Sequence, residues 1–249
     1  MSLLATIGAI FGGLCLVAWA AQRSMIYLPP RGADGGPGEI EKLTVPGARL
    51  AVSVRPRPGP RALVYFGGNA EDVTYSLPEL TEAFPEHSLY LLHYRGYGAS
   101  SGSPSEAALY ADALALFDRV SGQHHEVVVV GRSLGSAVAV RLASLRPVAS
   151  LVLVTPFDSL MRVAERHYRL LPVRWLLKDR FEAWRDAPRV SAPTLLIVAE
   201  RDEIAPRAHA EALLGQFQPG IARLEVVPGA GHNSISAHRR YWELLRKAI

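Results

Sequence analysis

The sequence predicts an α/β protein in which a mostly parallel sheet is covered by helices on both faces. Its 249 residues suffice for one large domain with a buried core, and 49% of them are hydrophobic. Continuous apolar runs that alternate with helical patterns or loops are typical of strands buried on both faces. The runs are ALVYF, SLYLLHY, EVVVVG, SLVLVT, TLLIVAE and RLEVVP.

The first element is an apolar segment that predicts a transmembrane anchor over residues 1–22. Leu3 to Ala21 are nineteen residues without a charge. As a helix they would span roughly 28 Å, close to the hydrocarbon thickness of a bilayer. Trp19 and Tyr27 suit the membrane interface. The alternative is a cleaved signal peptide of a secreted or periplasmic protein, because Ala18-Trp19-Ala20 resembles a cleavage site, although no Lys or Arg precedes the apolar run.

A linker and a β-hairpin follow the anchor. Residues 23–39 form the predicted linker, which is rich in proline and glycine from position 29 onwards. Arg23 and Arg31 follow the anchor and favour a cytoplasmic domain, but two charges leave the side of the membrane open. Two alternating runs around a Pro-Gly pair predict a hairpin at the start of the globular domain, which spans residues 40–249.

Helical patterns fill most intervals between the strands. They fall near Asp72–Phe84, Ser105–Val120, Leu134–Leu145, Arg207–Gln216 and from Ser236 to the C-terminus. The interval between SLVLVT and TLLIVAE is longer than one crossover helix needs. Its helical pattern, rich in arginine and aromatic residues, predicts a lid over a site at about residues 157–190.

The composition argues against several classes of function. The formal net charge is +4, but no run of five or more basic residues occurs, and we therefore expect no binding to nucleic acid. Cys15 is the single cysteine, so the globular part has no disulfide framework and no cysteine nucleophile. The sequence contains no H-E-x-x-H, C-x-x-C or Walker pattern, and we expect no metal and no organic cofactor.

A nucleophile-elbow pattern follows the run EVVVV. Residues 131–135, GRSLG, match G-x-S-x-G between a predicted strand and a predicted helix. The sharp turn through Ser133 needs small residues two positions before and after the serine. The N-terminus of the following helix directs its dipole and free N–H groups at the site. We therefore predict Ser133 as the nucleophile and the backbone N–H of Leu134 as one donor to the oxyanion.

A serine nucleophile needs a base and an orienting acid, and behind such an elbow the chain order is Ser, then Asp or Glu, then His. Asp202 comes just past the run TLLIVAE, and His232 lies in a glycine-rich loop after the final strand. Both would project from the same carboxyl edge of the sheet as Ser133. They are the predicted acid and base.

Other acidic residues and histidines are weaker candidates for the acid and the base of the triad. Glu200 and Glu203 flank Asp202, and one of these three serves as surface charge or helix cap. Asp158 would be the acid of a variant triad, but its place before the lid favours an N-cap of the first lid helix. His209 falls in a helical pattern and is expected to be solvated.

The loop after ALVYF is predicted to supply the second oxyanion donor. It reads Gly67-Gly68-Asn69-Ala70, and its glycines allow close backbone approach. We assign the donor to the Asn69 N–H, with the Gly68 N–H as the fallback. His93 ends the next strand near the same edge, and we predict that it lines the substrate site together with Tyr94.

Several motifs together resemble those of the alpha/beta-hydrolase superfamily, over about residues 25–249. They are VYFGGNAEDV, HYRGYGASSGSPSE, GRSLGSAVAVRLA, TPFDSL, ERDEIAP and GAGHN. They look most like its membrane-anchored esterase-like branch, which includes eukaryotic protein depalmitoylases, and the serine aminopeptidases are related. The resemblance implies the alpha/beta-hydrolase fold and hydrolysis of carboxylic esters or thioesters. The branch commonly has His-Gly where this chain has Gly67-Gly68, and glycine where Ala199 stands.

The motifs predict a membrane-tethered serine hydrolase that acts on lipid-like or acylated substrates through an acyl-enzyme. A serine peptidase or aminopeptidase with the same triad is one alternative, although the lid has no obvious acidic cluster for a free amino terminus. A non-catalytic membrane-anchored scaffold is another, and the intact triad argues against it. A nucleotide-binding module on RGYGASSG is disfavoured because its third glycine comes one residue too late.

Overall fold

The computed structural model describes residues 2–30 and 38–249. Eight strands form one sheet. They are β1 (Glu39–Val45), β2 (Ala48–Arg55), β3 (Arg61–Phe66), β4 (Ser88–Leu92), β5 (Glu126–Arg132), β6 (Ser150–Val154), β7 (Thr194–Ala199) and β8 (Ala222–Val227). The helices are α1 (Leu3–Ile26), α2 (Leu77–Ala83), α3 (Glu106–Ser121), α4 (Leu134–Ala143), α5 (Leu160–His167), α6 (Val173–Leu176), α7 (Ala183–Asp186), α8 (Arg207–Leu214) and α9 (Arg239–Ala248).

The strand order in the sheet is β1-β2-β4-β3-β5-β6-β7-β8. β1 and β2 form the predicted antiparallel hairpin, in which Val45 pairs with Ala48 and Gly47 takes a φ of +76° in the turn. β2 also pairs antiparallel with β4, and every pair from β4 to β8 is parallel. The predicted mostly parallel α/β sheet is therefore confirmed.

Both faces of the sheet are buried, as the continuous apolar runs predict. Along β5, Val127 and Val129 belong to the core on the face that α3, α4 and α8 cover. Val128 and Val130 alternate with them and belong to the core under α2 and α9. Because side chains alternate across a strand, only an unbroken apolar run supplies both cores.

Two helices begin later than the sequence patterns predict. The pattern from Asp72 divides into a 3₁₀ turn over Val73–Ser76 and then α2, whose first turn contains a proline. Proline lacks a backbone N–H and is tolerated in the first helical turn, where it favours a new start. The pattern from Ser236 likewise opens with a 3₁₀ turn, and α9 follows at Arg239.

The N-terminal helix α1 is long and apolar enough to cross a membrane. It continues to Ile26, four residues into the predicted linker, and its last turns contact the rest of the protein. Of the predicted linker, residues 31–37 lie outside the described part of the chain. The predicted lid segment, 157–190, contains the short helices α5, α6 and α7 between β6 and β7.

Candidate active site

The turn between β5 and α4 holds Ser133 in a left-handed backbone conformation, with φ +49° and ψ −112°. The glycines two residues before and two residues after it have no room for side chains. A Cβ on Gly131 would lie 2.3 Å from the carbonyl oxygen of Gly135, and one on Gly135 would lie 2.0 Å from that of Phe66. Non-glycine residues in such conformations cost about 1–3 kcal/mol, so the surrounding packing enforces this turn.

Ser133, His232 and Asp202 form a chain of hydrogen bonds at the carboxyl edge of the sheet. Ser133 Oγ lies 2.9 Å from His232 Nε2, and His232 Nδ1 lies 2.8 Å and 2.9 Å from the two carboxylate oxygens of Asp202. Asp202 also accepts the backbone N–H groups of Ile204 and Ala205. With the carboxylate accepting from Nδ1, the lone pair of Nε2 faces the serine hydroxyl.

The loops that carry Asp202 and His232 are joined to each other. Glu200 accepts the backbone N–H of Gly229 at 2.7 Å, and the N–H of Arg201 donates to the carbonyl of Ala230 at 2.8 Å. Of the three acidic residues considered at this position, Glu200 therefore supports the loop, whereas Asp202 contacts His232. These bonds fix the distance between the Asp202 and His232 side chains.

The backbone N–H groups of Asn69 and Leu134 are the predicted donors to the oxyanion at Ser133. Neither donates a hydrogen bond to any residue in the ranges 2–30 and 38–249, and both residues line the same pocket as the serine. The fallback donor, the Gly68 N–H, is engaged by Glu71 Oε2 at 2.7 Å. This geometry favours Asn69 over Gly68 as the partner of Leu134.

The Glu71 side chain stabilises the loop of Gly68 and Asn69 through several hydrogen bonds. Besides the Gly68 N–H, its carboxylate accepts the hydroxyls of Tyr65 at 2.7 Å and Ser76 at 2.9 Å. Burial raises the pKa of Tyr65 well above its ordinary value, and the negative charge of Glu71 adds to the shift. Tyr65 therefore stays a neutral donor to the carboxylate. Nothing in the local sequence around Glu71 marks this contact, so its role could not be predicted.

Arg132, the residue before the serine, connects three parts of the site. Its guanidinium lies 3.3 Å from the Glu71 carboxylate and donates to the carbonyl of Asn233, which follows His232. Its side chain is 17% exposed and that of Glu71 is 10% exposed, so this ion pair is largely shielded from solvent. Arg132 thus links the turn at Ser133, the loop of Gly68 and Asn69 (the predicted oxyanion loop) and the loop that carries His232.

The side chain of Asn69 ties the oxyanion loop to the end of α1. Its Oδ1 accepts the hydroxyl of Tyr97 at 2.7 Å and the backbone N–H of Leu28 at 3.0 Å, while its Nδ2 donates to the carbonyl of Ile26. Burial raises the pKa of Tyr97 to about 12, so its hydroxyl remains a donor. Asn69 is therefore fixed by both of its amide atoms.

A cavity of about 580 Å³ opens onto Ser133. This size is within the range of about 300–1,000 Å³ that small-molecule sites occupy. Its walls are mostly apolar and come from α1, the lid and the loop after β7. Examples are Ile26, Phe157, Leu160, Leu171, Val173 and Ile204. The arrangement can accept an apolar group whose reacting carbon lies at the serine.

Two predicted lining residues lie elsewhere. His93 is 3% exposed and bonds to Ser53 at 2.8 Å, and Tyr94 is 2% exposed and donates to the carbonyl of Gly67 at 2.9 Å. Neither is among the residues that line the pocket. The prediction was wrong because both side chains point into the core beneath the site, where Tyr94 supports the oxyanion loop.

Asp158 was also misinterpreted as a helix cap. The N-cap of α5 is Ser159, and the Asp158 carboxylate instead pairs with Arg162 and with His209, the latter at 2.7 Å. His209, predicted to be solvated, is 14% exposed because of this pair. Asp158 makes no hydrogen bond to His232, so the variant triad is not assembled.

The comparisons with known proteins agree with this architecture. The sequence pattern of a family described as alpha/beta hydrolase fold matches residues 62–183. The chain is 36% identical to an uncharacterized protein of Mycobacterium tuberculosis, over 94% of this chain and 88% of that protein. It is 33% identical to an alpha/beta hydrolase domain-containing protein of Caenorhabditis elegans, over 79% of this chain and 60% of that protein.

A solved structure shares the fold. The crystal structure of an esterase from Pyrococcus furiosus superposes with a TM-score of 0.71 and 16% identity, covering 89% of this chain and 96% of the esterase. The parallel sheet, the serine turn and the matched sequence family lead to the same assignment, which supports hydrolase activity. The chain belongs to the alpha/beta hydrolase superfamily.

Proposed function

We propose that the protein is a serine hydrolase that cleaves carboxylic ester or thioester bonds through an acyl-enzyme. The observation that carries this proposal is the hydrogen-bond chain from Ser133 through His232 to Asp202, at the end of an apolar pocket. A serine hydroxyl is a weak nucleophile on its own, and it becomes effective when a histidine accepts its proton.

In the first half of the reaction, Ser133 Oγ attacks the acyl carbon and His232 Nε2 takes the hydroxyl proton. Asp202 stabilises the resulting imidazolium. The N–H groups of Asn69 and Leu134 donate to the oxyanion of the tetrahedral intermediate. The intermediate collapses as the bond to the leaving oxygen or sulfur breaks, and His232 returns the proton to the departing alcohol or thiol.

In the second half, water replaces the leaving group. His232 accepts a proton from water as its oxygen attacks the acyl carbon, and the bond to Ser133 Oγ then breaks. The serine regains its proton from the imidazolium, and a carboxylic acid is released. Every proton passes through His232, so the reaction needs no external cofactor.

We also propose that α1 is retained as a single-pass anchor. Two residues that cleavage after Ala20 would remove contact the rest of the protein: the Trp19 ring lies 3.5 Å from the ammonium group of Lys178, and Ala18 lines the pocket of Ser133. These contacts support a permanent helix rather than a removed signal peptide. The lid segment 157–190 carries eight Lys or Arg and five Asp or Glu, an excess of positive charge that would not attract a free amino terminus. This balance favours esters or thioesters over aminopeptidase substrates.

A fluorophosphonate probe tests the nucleophile. We expect the wild-type protein to be labelled and Ser133→Ala to lose both labelling and ester hydrolysis. Ser144→Ala is the matched control, since it removes a hydroxyl from the end of the same helix and away from the pocket. Labelling that persists in Ser133→Ala would refute the triad, and an unlabelled, inactive wild type would favour a scaffold.

A further inference from the structure

The N-terminal helix forms one wall of the pocket that contains Ser133. Ala18, Gln22, Met25 and Ile26 all line this cavity. Their spacing places them on one face of α1, over about 12 Å of helix. Ile26 is the end nearer the oxyanion loop, because Asn69 donates to its carbonyl. The pocket therefore extends from the serine along the helix in the direction of Ala18.

Hydrogen bonds join α1 to the lid, so the two form one continuous wall. The Gln22 side chain is buried; its Nε2 donates to the carbonyl of Leu176 at 3.0 Å, and its Oε1 accepts the N–H of Lys178 at 2.6 Å. Arg23 pairs with Asp179 at 3.0 Å. A polar side chain buried in this way specifies the register between helix and lid.

The far end of the pocket coincides with residues that favour a membrane surface. The ammonium group of Lys178 lies 3.5 Å from the centroid of the Trp19 ring. Tryptophan and lysine are both favoured at the boundary between lipid and water. The preceding apolar stretch of α1 is not buried against the domain, so it is free to occupy the hydrocarbon. Ala18 would then lie at the level of the boundary.

The outer surface of the lid has a second feature that points to lipid. Leu170 is 90% exposed and Trp175 is 83% exposed, although both side chains are large and apolar. Arg166, Arg169 and Arg174 are exposed on the same segment. Apolar side chains among cations are typical of surfaces that enter the headgroup region of a bilayer.

We propose that the substrate is a membrane lipid whose fatty-acyl chain enters the pocket from the bilayer alongside α1. The ester carbonyl reaches Ser133 while the chain lies against Ala18 and Met25, and the lid rests on the membrane through Leu170 and Trp175. The helix is thus part of the substrate site as well as an anchor. The inference rests on the proposed function for the bond that is cleaved.

The test uses the full chain in phospholipid vesicles and two esters with the same leaving group, 4-methylumbelliferyl butyrate and oleate. Ala18→Trp fills the pocket wall, and Ala20→Trp adds the same bulk at an exposed position outside the pocket. We expect Ala18→Trp to lower the oleate-to-butyrate ratio of kcat/KM at least about 10-fold, because overfilled pockets reject the longer chain. Ala20→Trp should keep the wild-type ratio.

Two further variants and a comparison of two vesicle populations complete the test. Ala18→Leu is the milder variant if Ala18→Trp fails to fold by circular dichroism, and it should lower the ratio in the same direction. Trp175→Ser should lower the ratio by weakening lid contact with the vesicle. The oleate ester is also supplied in two ways, either in the vesicles that contain the enzyme or in separate vesicles without protein. We expect slower hydrolysis when the ester is in the separate vesicles.

Two results would overturn the inference while leaving the proposed function intact. One is an unchanged oleate-to-butyrate ratio in a folded Ala18 variant. The other is equal hydrolysis from both vesicle populations. Failure of the proposed function is distinguishable, because the wild type would then neither react with fluorophosphonate nor hydrolyse the butyrate ester.

Discussion

Glu71→Gln is the sharpest test of how the oxyanion loop is held. The substitution keeps the length of the side chain but removes its negative charge and replaces one acceptor oxygen by an NH₂ group. In the wild type, both carboxylate oxygens accept hydrogen bonds, from Gly68 N–H, Tyr65 and Ser76, while Arg132 supplies the countercharge. At least one of these donors therefore faces another donor in the variant.

The expected losses of stability and of kcat in Glu71→Gln follow from these contacts. A hydrogen bond to a charged group contributes about 1.5–3 kcal/mol, and removal of one member of a buried ion pair costs about 3–5 kcal/mol. Because Arg132 remains 17% exposed, we expect a loss of about 2–4 kcal/mol in the free energy of unfolding. A donor displaced by about 1 Å costs up to about 100-fold in rate, and we expect kcat to fall about 10–100-fold with KM little changed.

The assay is hydrolysis of p-nitrophenyl butyrate, with kcat and KM measured separately and thermal unfolding followed in parallel. Glu79→Gln is the matched control, since Glu79 is an exposed glutamate on the neighbouring α2. The double variant with Arg132→Met should regain part of the stability, because no uncompensated charge remains, but not the rate. Wild-type kcat and stability in Glu71→Gln would refute this account of the loop.

Two further predictions concern the core around the site. Gly135→Ala places a Cβ 2.0 Å from the carbonyl oxygen of Phe66, and we expect loss of soluble, fluorophosphonate-reactive protein, whereas Gly122→Ala, whose nearest contact is 3.5 Å, should remain folded and labelled. Burial lowers the pKa of His93, so the folded protein binds this proton less readily than the unfolded chain, which takes it up below about pH 6.5. Stability is therefore lost as the pH falls below that value, by up to about 1.4 kcal/mol per pH unit, and urea titrations of His93→Gln should show a shallower loss; an unchanged pH slope would contradict this origin.

The candidate triad could be found from sequence because each member follows a predicted strand. In a parallel sheet, the carboxyl ends of the strands lie at one edge. Three positions far apart in the chain can therefore be predicted to be neighbours without any knowledge of side-chain geometry. The same reasoning failed for His93, which also ends a strand. The end of a strand determines the edge of the sheet but not the face, and the His93 side chain turns to Ser53 inside the core.

Contacts between distant side chains could not be predicted. Arg132 and Glu71 are 61 residues apart, and Gln22 and Leu176 are 154 residues apart. No local periodicity records such pairs, since each side chain alone has the pattern of an ordinary surface residue. Arg132 in particular stands at a variable position of the elbow motif, and only the folded chain shows that it touches both flanking loops.

The left-handed backbone conformation of Ser133 suits glycine better than serine. Glycine adopts a φ of +49° without steric cost, and the backbone N–H of Ser133 would keep its 2.8 Å bond to the carbonyl of Val154 whatever the side chain. Folding alone would therefore favour glycine at position 133, whereas the proposed reaction requires the hydroxyl of serine. In lineages released from that requirement, selection for a stable fold should therefore favour glycine at this position.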